Sequence, residues 1–278
     1  MCKLIIAKNK KNAIFLFKKN LKNVYNYIGD VFMNKIIIGV LPQILLKTDD
    51  NPYNDKYEFL DLYCKKIFSC GGIPIGICLN NGKLDKDVLD LCDAFLLPGG
   101  NKIWDCYYEV IDYAIRNNKP LLGICLGFQA ISIYSMILDM GMSNFTIDNF
   151  IKSYEKLKEE NGGIVLKQIE NNNHRKLKVN YDNVDLARHK VNIIDKSSYL
   201  YETIKKAEIN PVSLHSFTPI GVGSNFKITA VADDGVIEGI EYNNKDYFIL
   251  GVCFHPEWDD DNKIFKRLVM EAKKRNGK

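Results

Sequence analysis

The feature that most constrains the fold is an alternation of short apolar runs with longer segments of helical periodicity. Four apolar runs predict strands, at residues 35–42, 73–79, 94–100 and 120–125. Segments with apolar residues at helical spacing predict helices, at residues 54–72, 84–92, 104–118 and 126–138. Because continuous apolar strands joined by helices are typical of parallel sheets, the sequence predicts an α/β fold: a mostly parallel central sheet with helices on both faces.

The second half of the chain adds strands and a closing helix. Further strands are predicted at residues 189–195, 211–216, 226–233, 236–243 and 247–258, and a helix at 261–275. The intervening stretch, 139–185, is polar and rich in Asn and Lys, which predicts loops and one exposed charged helix at 152–163. Without internal repeats or a Pro/Ser linker, residues 33–278 are expected to form a single domain.

Residues 1–32 differ in charge from the rest of the chain. They hold seven lysines and one acidic residue, Asp30, whereas the whole chain carries +4, so the remainder is mildly acidic. This balance gives no support for nucleic-acid binding. Met33 directly precedes the first strand; either 1–32 is a basic extension or Met33 is the native start. The segment lacks an apolar core followed by a cleavage site, so no signal peptide is predicted.

The cysteines favour a reducing, cytoplasmic location. Most of the eight lie inside apolar runs, and no CxxC pair or Cys/His cluster of zinc spacing is present. No long charge-free apolar span is present, so no membrane span is expected. The sequence predicts neither a metal site nor a cofactor, and His174 and His189 are interpreted as solvated or structural.

The stretch "GICLGFQ", residues 123–129, places Cys125 between two glycines at a predicted strand–helix junction. A sharp turn of this kind needs small neighbours and exposes its central side chain above the carboxyl edge of the sheet. A helix N-terminus also favours a thiolate. Cys125 is therefore a candidate nucleophile; the alternative is a buried structural cysteine beside helix-packing glycines.

A base and an oxyanion site can be assigned to two other strand ends. His255 follows the apolar run "YFILGVCF", and Glu257 lies two residues later, where it could orient the imidazole. The run "LLPGG" ends at Gly100, whose N–H could pair with that of Leu126 to bind an oxyanion. Taken singly, each of these motifs is better explained by an ordinary loop or turn.

The set "LLPGG", "GICLGFQ" and "GVCFHPEW" resembles the class I glutamine amidotransferases. Its closest similarity is to the gamma-glutamyl hydrolase (peptidase C26) branch, which includes gamma-glutamyl-gamma-aminobutyrate hydrolase. The segments that support this branch are "GVLPQ", "YEFLDLYCKKIFSCGGIPI", "HKV" (189–191) and "SLH" (213–215). The resemblance extends over residues 35–275 and implies a flavodoxin-like architecture.

The resemblance implies roles for individual residues. Cys125 would be the nucleophile, His255 the base and Glu257 its orienting acid. Gly100 and Leu126 would supply the oxyanion N–H groups, and the glutamyl group would contact Gln129, Ser213 and His215. The sequence departs from the pattern of this branch at three places. Leu126 stands where the branch often has Arg, and Val212 stands where it usually has Asn. No Gln follows "SLH" closely, although the branch commonly has one there. The last two bear on substrate identity.

Three functions are compatible with these residues. The first is hydrolysis of a small-molecule gamma-glutamyl amide through a thioester, by a monomer or a homodimer. The second is a glutaminase subunit that passes ammonia to a partner synthase. The third is a relic that binds a glutamyl compound or a protein without turnover, an alternative motivated by the altered sequence around "SLHSF".

Overall fold

The structure is a computed structural model that describes residues 35–46, 55–80, 82–142, 144–175 and 179–277. The predicted basic extension, 1–32, and the alternative start at Met33 lie outside the described residues. The fold is that of the compact unit Ile36–Gly277.

Thirteen strands are present in the described residues. They are β1 (Ile36–Val40), β2 (Gln43–Leu45), β3 (Lys56–Glu58), β4 (Gly72–Gly76), β5 (Ala94–Leu97), β6 (Leu121–Ile124), β7 (Leu166–Gln168), β8 (Val191–Ile193), β9 (Glu208–Ile209), β10 (Phe217–Pro219), β11 (Phe226–Ala232), β12 (Ile237–Tyr242) and β13 (Ile249–Val252). Nine of them form the central sheet in the order β4-β1-β5-β6-β13-β12-β11-β8-β9.

The central sheet has a parallel half and an antiparallel half. Strands β4, β1, β5, β6 and β13 pair in parallel with their neighbours. From β13 onward the pairs are antiparallel. Every residue of β5, β6 and β13 is buried, as expected for strands that helices cover on both faces. The predicted α/β class is confirmed.

Seven helices are described: α1 (Asp61–Ser69), α2 (Lys86–Leu91), α3 (Asp105–Arg116), α4 (Leu126–Asp139), α5 (Ile147–Glu160), α6 (Tyr199–Ile204) and α7 (Lys263–Asn276). One core cluster joins the sheet to α3, α4 and α5, and a second joins its other face to α1, α6 and α7. No helix in the described ranges has the length and apolarity needed to cross a bilayer.

The structure corrects three predicted boundaries. The helix predicted from residue 54 begins only at Asp61, because Lys56–Glu58 pairs with β2 instead. The strand predicted at 211–216 is a loop with a single bridge, Arg188 to Val212. In the predicted loop region, α5 starts at Ile147, since Thr146 caps its first turn by accepting a hydrogen bond from the N–H of Asn149.

Candidate functional site

Three neighbouring strand ends form the candidate site. Strands β5, β6 and β13 are adjacent and parallel, so their carboxyl ends meet at one edge of the sheet. Gly99 and Gly100 follow β5, Cys125 follows β6, and His255 follows β13. This edge is where open α/β sheets place their ligand sites.

Cys125 has a strained backbone. Its φ is 52° and its ψ is −101°, outside the regions that non-glycine residues favour. The small neighbours are required sterically: a Cβ at Gly123 would lie 2.6 Å from Cδ1 of Ile131, and one at Gly127 would lie 2.3 Å from the carbonyl oxygen of Leu97. The turn therefore has the geometry of a nucleophile elbow.

Cys125 differs from the other buried cysteines in its surroundings. Burial raises the pKa of both Cys92 and Cys106 to about 12, and burial also raises that of Cys253 well above its ordinary value. These three thiols are therefore kept neutral inside the core. Cys125 instead lines a cavity of about 490 Å³.

His255 and Glu257 form a buried pair. Nδ1 of His255 lies 2.6 Å from Oε1 of Glu257, and both residues are less than 10% exposed. An Nδ1–H donated to the carboxylate leaves the lone pair on Nε2, which has no hydrogen-bond partner among the described residues. Burial lowers the pKa of His255, but the charges of Glu257 and Cys125 outweigh it, so the pKa lies well above its ordinary value.

The loop after β5 contacts both side chains. A Cβ at Gly99 would lie 3.0 Å from Cε1 of His255 and 3.4 Å from Cβ of Cys125. Glycine therefore lets this backbone approach the cysteine and the imidazole without displacing either side chain. The two predicted residues therefore lie on either side of the same glycine.

Two residues that the sequence did not identify hold the backbone on either side of Gly99. Nε2 of Gln43 donates to the carbonyl oxygen of Gly99 over 2.6 Å, and the N–H of Gly99 donates to the Tyr63 hydroxyl over 3.1 Å. In a trans peptide the N–H points opposite to the C=O. A fixed Gly99 oxygen therefore fixes the direction of the Gly100 N–H. Gln43 belongs to the "GVLPQ" stretch of the family resemblance, which is the one sequence feature that could have pointed to this residue.

The cavity at Cys125 brings together most of the predicted contact residues. Gly100, Leu126, Gln129 and His215 line it. Nε2 of Gln129 donates to the carbonyl oxygen of Phe217 over 2.9 Å.

Ser213 lies elsewhere. It is fully buried, and its hydroxyl donates to the carbonyl oxygen of His174 over 2.8 Å. The remaining cavity wall is partly apolar and partly charged. It includes Tyr108, Ile133, Phe150, Leu166, Lys102, Asp105 and Arg175.

The fold and part of the sequence match known proteins. Residues 154–257 match the family model of Peptidase C26. The glutaminase domain of the Trypanosoma brucei CTPS with bound acivicin superposes with a TM-score of 0.60 at 19% identity, over 86% of this chain and 94% of that one. The fold is that of the class I glutamine amidotransferases.

Two sequence relatives agree with this amidotransferase fold. A glutamine amidotransferase-like protein of Rickettsia prowazekii is 27% identical over 86% of this chain and 98% of its own length. The CTP synthase of Methanosphaera stadtmanae is 28% identical over 67% of this chain, but this chain spans only 35% of that protein. Together these matches show similarity in sequence to glutamine amidotransferase-like proteins and, over residues 154–257, to Peptidase C26.

Proposed function

We propose that the protein is a cysteine-dependent hydrolase of gamma-glutamyl amide bonds. The observation that carries the proposal is the convergence of Cys125 with the buried His255–Glu257 pair at the carboxyl edge of the sheet. A thiol, an imidazole and a carboxylate in this order are the parts of a nucleophile with its base and orienting acid. The Peptidase C26 match of residues 154–257 supports this chemistry.

In the first half-reaction the sulfur of Cys125, with its proton passed to Nε2 of His255, attacks the side-chain carbonyl of the substrate. The carbonyl electron pair moves to oxygen, and the N–H groups of Gly100 and Leu126 stabilise the oxyanion. As the C–N bond breaks, His255 returns the proton to the departing amine. The product is a gamma-glutamyl thioester on Cys125.

In the second half-reaction water attacks the thioester while Nε2 of His255 accepts its proton. The C–S bond breaks, and the proton goes back to the sulfur as glutamate leaves. Glu257 keeps the imidazole in the tautomer that both halves require. The Gln43 contact holds the peptide of the Gly100 donor, and the Tyr63 contact holds the peptide before it, so the oxyanion site is preorganised.

The cavity suggests how the two halves of the substrate are held. Gln129 lies one turn into α4, near the expected position of the glutamyl group. Arg175 and Lys102 line the same cavity and could neutralise a glutamyl carboxylate. Tyr108, Ile133 and Phe150 form an apolar wall beside it, which favours an amine with an apolar portion over ammonia.

The test is turnover of a panel of gamma-glutamyl amides by the purified protein and by Cys125→Ser. We expect glutamate release with at least one amide and its near-complete loss in the variant. Cys106→Ser is the matched control, since this thiol lies in the core and is expected to keep activity. Full turnover by Cys125→Ser would exclude the mechanism.

A second function, a glutaminase subunit for a partner synthase, is favoured by one observation. The chain matches about a third of a CTP synthase, and a CTPS glutaminase domain shares its fold. Glutamine hydrolysis that appears only after a synthase is added would support this alternative. Activity of the isolated chain on gamma-glutamyl amines would favour the hydrolase. A lack of labelling of Cys125 by a glutamine-like diazo-ketone would instead indicate a binding relic.

A further inference from the structure

Three histidines and one glutamate meet at a point that the linear sequence does not suggest. His174, His189, His215 and Glu238 each contribute one nitrogen or oxygen atom, and these four atoms lie within 4.8 Å of one another. All four residues are less than 10% exposed. Neither the proposed hydrolysis nor the central sheet requires such a concentration of imidazoles.

Four of the six distances among these atoms are close to those of a tetrahedral coordination shell, and the other two are at most 4.8 Å. Oε1 of Glu238 lies 3.1 Å from Nδ1 of His174, 3.1 Å from Nε2 of His215 and 3.5 Å from Nε2 of His189. The His174 and His215 nitrogens are 3.2 Å apart. Zinc–nitrogen and zinc–oxygen bonds of about 2.0–2.2 Å place tetrahedral ligands about 3.3–3.6 Å from one another.

Hydrogen bonds alone do not account for this arrangement. His174 Nδ1 and His215 Nε2 cannot both donate to the same oxygen of Glu238 without bringing their protons close together. Nε2 of His189 and Oε2 of Glu238 have no hydrogen bond among the described residues. Buried polar atoms are rarely left without a hydrogen-bond partner. A central cation would instead accept the lone pairs of all four residues.

The outer hydrogen bonds fix the tautomers that a metal needs. Nε2 of His174 lies 3.0 Å from Oδ2 of Asp234, and Nδ1 of His215 lies 3.3 Å from the carbonyl oxygen of Phe217. If the outer nitrogens carry the protons, the inner ones present lone pairs to the centre. Metal-binding histidines usually make such outer contacts with carboxylates or backbone carbonyls.

A route from solvent to the cluster is present. A cavity of about 530 Å³, separate from the one at Cys125, is lined by His174, His189 and Asp234 among others. An ion could enter through this cavity after the chain has folded.

We propose that His174, His189, His215 and Glu238 bind one Zn²⁺ ion in a closed structural site. Three imidazoles and one carboxylate suit zinc, whereas Mg²⁺ and Ca²⁺ prefer oxygen ligands. The ion would join the turn at His174 to the segment that carries His215 and leads into β10 at Phe217. The Phe217 carbonyl oxygen also accepts the Gln129 hydrogen bond, so the site would stabilise one wall of the Cys125 cavity. His215 would then form part of that wall.

The test is the metal content of the full chain, purified without a histidine tag after growth with zinc. We expect close to one zinc ion per chain by inductively coupled plasma mass spectrometry. Both His189→Ala and Glu238→Gln should lose most of this zinc. His255→Ala is the matched control, because it removes the fourth histidine of the chain without touching the cluster. It is expected to keep its zinc.

A second measurement covers the case in which a variant fails to fold. Wild-type protein treated with a chelator should melt at a lower temperature, and added Zn²⁺ should restore the original value. Added Co²⁺ should give the intense visible absorption of a tetrahedral site. A wild-type chain that holds no zinc and takes up no Co²⁺ would overturn the proposal, as would zinc loss in His255→Ala. These readouts do not depend on hydrolytic activity.

Discussion

The side-chain amide of Gln43 donates to the carbonyl oxygen of Gly99 over 2.6 Å and so sets the plane of the Gly99–Gly100 peptide. This contact joins the short strand β2 to the loop that follows β5. If the Gly100 N–H stabilises the oxyanion, then Gln43 is a positioning residue for the reaction without touching the substrate.

Replacing Gln43 by alanine is expected to lower kcat by about 10- to 100-fold with little change in KM. The upper limit is set by the loss of an oxyanion donor, which costs about 100- to 1000-fold. Gln43→Glu should be at least as harmful, because its carboxylate cannot donate to the Gly99 oxygen. Gln168→Ala, on the exposed part of β7, is the control. Equal kcat values for Gln43→Ala and wild type would contradict the positioning role.

Tyr63→Phe is expected to destabilise the fold. The change leaves the buried N–H of Gly99 without its acceptor, which costs about 1–3 kcal/mol of unfolding free energy. Tyr107→Phe is the matched control, since the Tyr107 hydroxyl is buried without a hydrogen-bond partner among the described residues. Denaturant unfolding should show a clear loss of unfolding free energy for Tyr63→Phe and none for Tyr107→Phe. Equal losses in the two variants would mean that the Gly99 contact does not stabilise the fold.

Glu257→Gln is expected to move the alkaline limit of activity to lower pH. Burial works against protonated His255, but the charge of Glu257 keeps its pKa well above the ordinary value. His255 must be protonated to release the amine, so activity declines as pH rises through this pKa. Without the carboxylate charge, the decline in activity should begin at a lower pH than in the wild type.

The same pKa shift affects stability with a defined sign. A pKa raised by folding stabilises the protein below the ordinary histidine pKa, and the contribution is lost as pH rises through the raised value. The difference in unfolding free energy between wild type and Glu257→Gln should therefore narrow at alkaline pH. Asp261→Asn, which changes an exposed ion pair with Lys263, is the control for both profiles. Unchanged profiles in Glu257→Gln would refute the assignment.

The backbone strain at Cys125 predicts an unusual order of stabilities. With φ at 52°, a residue that carries a Cβ costs about 1–3 kcal/mol, and glycine relieves part of this cost. Cys125→Gly should therefore be more stable to denaturant than Cys125→Ala, although both lack activity. Ala130→Gly, inside α4, provides the comparison, since the glycine variant should there be less stable than the protein with alanine. A Cys125→Ala variant more stable than Cys125→Gly would argue against a strained elbow.

Local patterns predicted most of the parallel half of the sheet and the elbow. The strands that end at Leu97, Ile124 and Val252 are continuous apolar runs. The first two are consecutive strands, whereas the place of the third beside them was implied only by the family resemblance. Cys125 was recognised because a tight strand–helix turn imposes small residues on both sides, which the contacts of Gly123 and Gly127 explain. These features depend on a few adjacent residues, so they are visible in one sequence.

Contacts between distant segments could not be predicted. Gln43 and Tyr63 reach Gly99 through a side-chain amide and a hydroxyl that carry no local signature. His174, His189, His215 and Glu238 come from separate segments, and their spacing does not resemble a local zinc motif. The run at 211–216 looked like a strand because its residues are buried by loop packing rather than by sheet pairing; Val212 is fully buried in this loop.

The most direct test of the central claim is acid quenching of the protein during turnover of a gamma-glutamyl amide, followed by peptide mapping. We predict a glutamyl thioester on Cys125 and on none of the other cysteines. Glutamate release by wild-type protein with no adduct on Cys125, together with labelling of another cysteine, would contradict the account.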